Sequence, residues 1–234
     1  MNYEIVVKAK KIKQKKKIIK ISKFIVLILL LLLLLSYCVV GIVYSSGTFS
    51  IRLDRDLYLN NGIIIYDDPN YKVFRTDLYV EPLEFMDNIS YRWLPEDLHE
   101  NEGGSHNGEN YIAYTFFIEN MGEVVTNYWA EIIIDNVFKN VDEAIRIRVY
   151  KNGEYETYAK IAADGNPEPG TIPFKTDEII YLKETKNFRP GDLNKYTIVI
   201  WLEGSDPECT NNILGGEIQM HMAFNSETVR EIEE

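Results

Sequence analysis

Ala144-Ile145-Arg146-Ile147-Arg148-Val149-Tyr150-Lys151-Asn152-Gly153-Glu154 sets the class of the fold. Ile145, Ile147 and Val149 alternate with Arg146 and Arg148, so the apolar side chains share one face of an extended strand. Asn152-Gly153 then suits a two-residue hairpin turn, whose central positions both need positive φ. Glu154 to Ile161 is the returning strand. Working outward, Tyr111 to Glu119, Tyr128 to Ile134 and Tyr196 to Leu202 are apolar enough to lie mid-sheet. Glu217 to Phe224 alternates strictly, with Ile218, Met220, Met222 and Phe224 inward and Glu217, Gln219 and His221 outward. Thr48 to Asp54, Asp56 to Leu59, Gly62 to Tyr66 and Tyr71 to Val80 add further strands. Many short strands in a region of this size predict an all-β fold, a β-sandwich. Two stretches break the rhythm and read as loops: the polar, exposed Leu94 to Asn110, and Asp164 to Pro173, with three prolines and two glycines.

The 234 residues carry a formal net charge of −11, which conceals a sharp division. Residues 1–23 hold nine lysines against one acid, Glu4, a net of +8. Residues 24–46 hold no charge, and include seven consecutive leucines, Leu29 to Leu35. Residues 47–234 hold sixteen bases against thirty-five acids, a net of −19. About 20 apolar residues suffice to span a bilayer as a helix, so residues 24–46 read as a single transmembrane helix, an uncleaved signal anchor in contact with membrane lipid. Lysine on its N-terminal flank predicts a cytoplasmic basic segment, 1–23, and an extracellular domain, 47–234. A body so acidic is the wrong partner for nucleic acid, whose phosphates need a basic face.

Chemistry-bearing motifs are sparse. His99, His106 and His221 are the three histidines, and no His-Glu-x-x-His, Gly-x-Ser-x-Gly or phosphate-cradling loop occurs. A zinc site from His99, His106 and Glu102 or Glu109 is weighed against solvated loop histidines, the preferred reading. Asp67-Asp68-Pro69-Asn70 and Asp54-x-Asp56 offer oxygens to calcium, with turn-forming acids as the preferred alternative. Cys209 is the one thiol of the outer body, which must therefore be held by its core without an internal disulfide. The expectation is a protein with no catalytic residues, no cofactor and no metal beyond calcium.

Three segments resemble the camelysin and TasA family of secreted bacterial β-sandwich proteins, which includes biofilm matrix components. Gly47-Thr48-Phe49-Ser50 is similar to the family's leader end. Phe116-Phe117-Ile118-Glu119-Asn120-Met121-Gly122 is similar to its strand and Asn-x-Gly turn. Asn211-Asn212-Ile213-Leu214-Gly215-Gly216-Glu217, leading into Ile218 to Phe224, is similar to its closing strand. The departures mark a divergent member: Ser50 stands in place of the usual alanine, the leucine run is long for a cleaved leader, and Trp201 to Cys209 has no counterpart. Some members carry a metallopeptidase label, for which no zinc-binding pair is found here.

The resemblance implies an immunoglobulin-like or jelly-roll sandwich acting by assembly, a non-enzymatic cell-surface or secreted matrix subunit joined by strand exchange. Thr48 and Ser50 are the candidate processing residues. Ile51, Leu53, Leu57 and Leu59 are the candidate assembly strand, tethered until the leader is cut. The alternative is a membrane-anchored adhesion or ligand-binding module with a surface protein partner; an extracellular metallopeptidase ranks last.

Overall fold

In the computed structural model, which describes residues 2–45 and 49–226, the chain divides into two compact units, Met1–Ser46 and Gly47–Glu234. The first is one helix, α1 (Asn2–Ser45), in which the lysine-rich stretch continues into the apolar one. Lys15–Tyr37 is long and apolar enough to cross a membrane. Leu27, Leu31 and Leu33 are exposed, and apolar residues all round a helix suit a lipid surrounding better than water.

The second unit is mostly β. Its strands are β1 (Phe49–Leu53), β2 (Ile63–Tyr66), β3 (Asp77–Tyr79), β4 (Gly104–Ser105), β5 (Ile112–Asn120), β6 (Thr126–Phe138), β7 (Ile145–Lys151), β8 (Glu154–Ala159), β9 (Ile172–Pro173), β10 (Ile179–Phe188), β11 (Leu193–Leu202) and β12 (Glu217–Asn225). They form a five-stranded sheet in the order β10-β6-β12-β1-β3, and a seven-stranded sheet in the order β2-β5-β11-β7-β8-β9, with β4 beside β5. The hairpin expected at Asn152-Gly153 is present: both residues have positive φ, and β7 pairs with β8 from Lys151 and Glu154 back to Ile147 and Tyr158.

The inward residues of both sheets meet in one core. Phe224 of β12 lies 5.8 Å from Phe116 of β5 and 5.5 Å from Tyr196 of β11, ring centre to ring centre. Tyr128 of β6 meets Phe224 edge-on at 5.7 Å, and its hydroxyl lies 3.2 Å from that of Tyr196. Met220, Met222 and Phe224 are buried as their alternation predicts. The Asn120-Met121-Gly122 turn is locked by its asparagine, whose Nδ2 donates to the carbonyls of Val124 and Phe188 while its Oδ1 accepts from the amide of Gly122. Gly122 has to be glycine here, since a Cβ would sit 2.0 Å from the carbonyl oxygen of Asn61.

Three expectations are corrected. Asp56 to Leu59 is not a strand: it lies in a short helix, α2 (Arg55–Asn61). Asp54 caps its start by accepting from the amide of Asp56, and Gly62, at φ +69°, closes its end. Those capping signals outweigh the short apolar alternation. Of Tyr71 to Val80, only Asp77–Tyr79 pairs as a strand. Leu94 to Asn110 is not a free loop either. Ile89, Leu94 and Leu98 are buried against Ala113, Tyr150, Val199 and Trp201, a second apolar layer on the outer face of the seven-stranded sheet. Ile89, just ahead of the segment, is fastened by hydrogen bonds from its amide to the Leu202 carbonyl and from the Gly204 amide to its own carbonyl. Central strands apolar on both faces require such a cover. β10, a ten-residue strand, was not anticipated at all.

Candidate functional site

The first strand of the body is the place where fold and proposed mechanism meet. β1 lies between β12 and β3, parallel to the former and antiparallel to the latter, with Ile51 opposite Met222 and Leu78. Phe49, Ile51 and Leu53 point into the core and are buried. Full burial of such side chains contributes about 1.5–3 kcal/mol each, so withdrawing β1 costs roughly 5 kcal/mol or more.

Of the sequence-derived candidates, Ile51 and Leu53 thus share the strand. Leu57 is buried too, but from α2, and Leu59 is 58 % exposed on the same helix. The four residues do not form one continuous strand. Thr48 lies outside the described residues. Ser50 is buried within β1, opposite His221 and Tyr79, so a cut after it in the folded body would have to open the strand.

Outward from β1 runs a groove of about 470 Å³ lined by Arg52, Asp54, Asp135, Glu178, His221 and Asn225 among others. His221 Nδ1 lies 2.9 Å from a carboxylate oxygen of Asp135 on the neighbouring strand. Three of the four outermost strands of the two sheets are poorly suited to adding a foreign strand. β10 is interrupted by two register shifts and carries Lys183, Glu184 and Lys186. β3 has three residues, and β9 includes Pro173. Bulges, charges, proline and short length are the ordinary means of blocking edge pairing.

Elsewhere, several buried or half-buried polar groups are paired. Glu119 accepts from Tyr66 at 2.7 Å and from Lys72 at 2.8 Å. Burial pushes its carboxyl upward, but the bonds from Lys72 and Tyr66 prevail and hold it below the usual carboxylate range. Lys151 Nζ donates to Thr185 Oγ1 over the Tyr128 and Tyr196 rings; burial, then the charge of Lys183, pulls its amine below the usual lysine value. Glu203 accepts from the indole of Trp201 and from the Tyr91 amide, both at 3.0 Å, tying the cover segment to β11.

The acids considered for calcium serve turns and caps: Asp67 accepts from the Tyr114 hydroxyl, and Asp68 from the amides of Asn70 and Tyr71. His99 stacks on Tyr150, while His106 Nδ1 lies 3.0 Å from the Gly104 carbonyl. Among the described residues, three potential ligands converge only at Glu168, Asp206 and Glu208, a cluster that sequence reasoning missed. The Arg146 guanidinium already contacts Glu168 at 3.0 Å and Asp206 still more closely, filling the cationic place there. Arg146 stood out in the sequence only as one of two arginines on the far side of its strand.

No protein-family model matches the chain, and no curated protein does. Among solved structures, it is similar to a β-glucosidase from Kluyveromyces marxianus in complex with glucose, at a TM-score of 0.27 and 12 % identity. That match covers 71 % of this chain and 15 % of the other, and at this level it carries no argument.

Proposed function

We propose that this is a non-enzymatic surface or matrix protein, a divergent relative of the camelysin and TasA family. Its helix anchors it in a cell membrane with the basic segment inside and an extracellular, immunoglobulin-like or jelly-roll sandwich outside. The body assembles by strand exchange: β1 leaves its slot and is replaced by β1 of a neighbouring copy, with the same pairing to β12 and β3.

One observation supports this reading above the others. The strand that follows the apolar helix lies between two neighbours rather than on the outside of its sheet, while the sheet edges are short, bulged or charged. Exchange through an internal slot reuses every native hydrogen bond, whereas edge-to-edge addition meets the blocked edges. The helix tethers β1, so release of the leader is the step that frees it. The size of the core loss on withdrawal makes exchange slow in a folded body and favours capture of β1 before folding is complete.

The net charge of −19 on residues 47–234 sets the conditions. Like-charged subunits repel, and salt or protonation of carboxylates weakens that repulsion. Electron microscopy of the 47–234 body should show fibres that increase from 0.05 to about 1 M salt and from pH 7 to pH 5, since the Debye length falls to ~3 Å at 1 M. Monomers under every condition would remove the assembly reading. A second reading, a ligand-binding module, has one feature in its favour: a recess of about 730 Å³ lined by Asp97, Glu100, Glu102, His106 and Tyr111.

A further inference from the structure

The carboxylates around Arg146 outnumber their counter-charge. Arg146 is 3 % exposed, Asp206 4 % and Glu168 7 %, and one oxygen from each of Glu168, Asp206 and Glu208 lies within 4.8 Å of the others. Glu168 and Asp206 thus face one guanidinium in a space largely closed to water, and the half-buried Glu208 brings a third carboxylate to its margin. Glu208 Oε1 accepts from the Ala163 amide at 3.1 Å, but its buried Oε2 has no hydrogen-bond partner. Asp206 Oδ1 accepts from the Glu208 amide at 2.8 Å, which holds the two side chains on the same turn. Two carboxylates kept this close, one of them buried, do not both stay ionised at little cost; a proton between them satisfies the orphaned oxygen and removes one excess charge.

We propose that Asp206 and Glu208 share one proton beside Arg146, and that this proton closes a pH-sensitive clasp between the Glu203–Cys209 turn and the connection holding Ala163 and Glu168. This goes beyond the assembly reading and does not depend on it. The clasp joins three parts of the chain: β7 through Arg146, the 160–171 connection through Glu168 and Ala163, and the turn after β11 through Asp206 and Glu208. The turn is fixed to the start of β7 by the Glu203 amide, which donates to the Ala144 carbonyl.

The charged and titratable groups facing the pair are Arg146 from β7, Asp164 and Glu168 from the connection, and Cys209 from its own turn; Glu203, and Asp87 of the cover segment, act on the Cys209 thiol rather than on the pair. Asp164 and Glu168 are acids, and the charge of Asp164 works against the ionised form of Glu208. Asp206 is pushed up to about 6, by burial first and by its bond with Glu208 second, with Arg146 pulling the other way. Glu208 moves down, chiefly through the same bond. One acid raised and its neighbour lowered is the pattern of a shared proton.

The sign follows from linkage. The folded chain holds this proton to a higher pH than an unfolded aspartate would, near 3.9, so folding gains stability as pH falls through about 6 and loses it as pH rises. Between pH 7 and pH 5, the equilibrium constant for unfolding should fall about tenfold.

The test uses the full-length chain in a neutral detergent, unfolded with urea and followed by tryptophan fluorescence at pH 7.0 and 5.0. The wild type should be about tenfold harder to unfold at pH 5.0, and Glu208→Gln should reduce that difference. Every other titratable group is the same in both proteins, so the comparison cancels it. An equal pH response in wild type and variant overturns the proposal. So does a wild type that gains the same stability at pH 7.0 from calcium, which would make the missing charge a metal ion. Should Glu208→Gln fail to fold, carbon-13 NMR of the wild-type Asp206 carboxyl decides: a midpoint near 6 supports the clasp, and one near 4 overturns it.

Discussion

Truncating Phe224 to alanine should destabilise the body by about 3–5 kcal/mol, the range for removing a large aromatic from a closed core. Phe224 is fully buried and lies between 5.5 and 5.8 Å from the rings of Phe116, Tyr128 and Tyr196, so one side chain joins both sheets. The adjacent rings are held in place: the Tyr128 and Tyr196 hydroxyls bond to each other, and that of Tyr128 also accepts from Asn194 Nδ2. A body of this size should lose roughly 2–4 °C of melting temperature per kcal/mol, which calorimetry of the 47–234 unit would read as a drop of about 10 °C. A drop below about 3 °C would mean that the two sheets do not share this core.

Arg146→Ala should be as damaging, about 3–5 kcal/mol at pH 7, because it leaves buried carboxylates without their counter-ion. The cost here is not the value of the ion pair itself. Well-packed apolar replacements for a buried ionic cluster are often tolerated, whereas removing one member strands the rest. Loss of the guanidinium also favours protonation of Asp206, so the variant should recover part of its stability as pH falls from 7 to 5. Urea midpoints at the two pH values measure both effects. A variant as stable as the wild type at pH 7 would show that Arg146 does not neutralise the cluster.

The parts of the fold visible in the sequence are those where alternation coincides with burial on one face. Ile145, Ile147 and Val149, and Met220, Met222 and Phe224, were readable for that reason. Asp56 to Leu59 misled because four residues are too few to separate the two periods, and the deciding information lay outside them in Asp54 and Gly62. Leu94 and Leu98 were hidden by Pro95, Glu96 and Asp97, although Trp201 and Val199, alternating with the inward Ile198 and Ile200, already required something to cover the second face. β10 was obscured by its Lys183-Glu184-Thr185-Lys186 half, which belongs to an exposed edge. The ionic cluster was illegible because it joins residues 146, 168, 206 and 208, and only the pairing of β7 with β11 brings the first and last of these together. For β1, the order of anchor and strand was readable, but the slot between β12 and β3 was not, since parallel pairing between the two ends of a domain leaves no local trace.

The slot gives assembly its most direct test. Arg52 and Ala223 are register partners on β1 and β12, with side chains on the outer face of the sheet. Cysteines at both positions, in a Cys209→Ser background, can form a disulfide, since bridged Cα atoms stand about 4.4–6.8 Å apart and paired strands ~4.8 Å apart. The bond fastens β1 into its own subunit without altering the charge of the remaining surface beyond Arg52. Fibres of the 47–234 body are then counted by electron microscopy at pH 5 and high salt, before and after reduction. Strand exchange predicts none while the disulfide is intact and their appearance once it is reduced; fibres formed by the fully oxidised protein would contradict it.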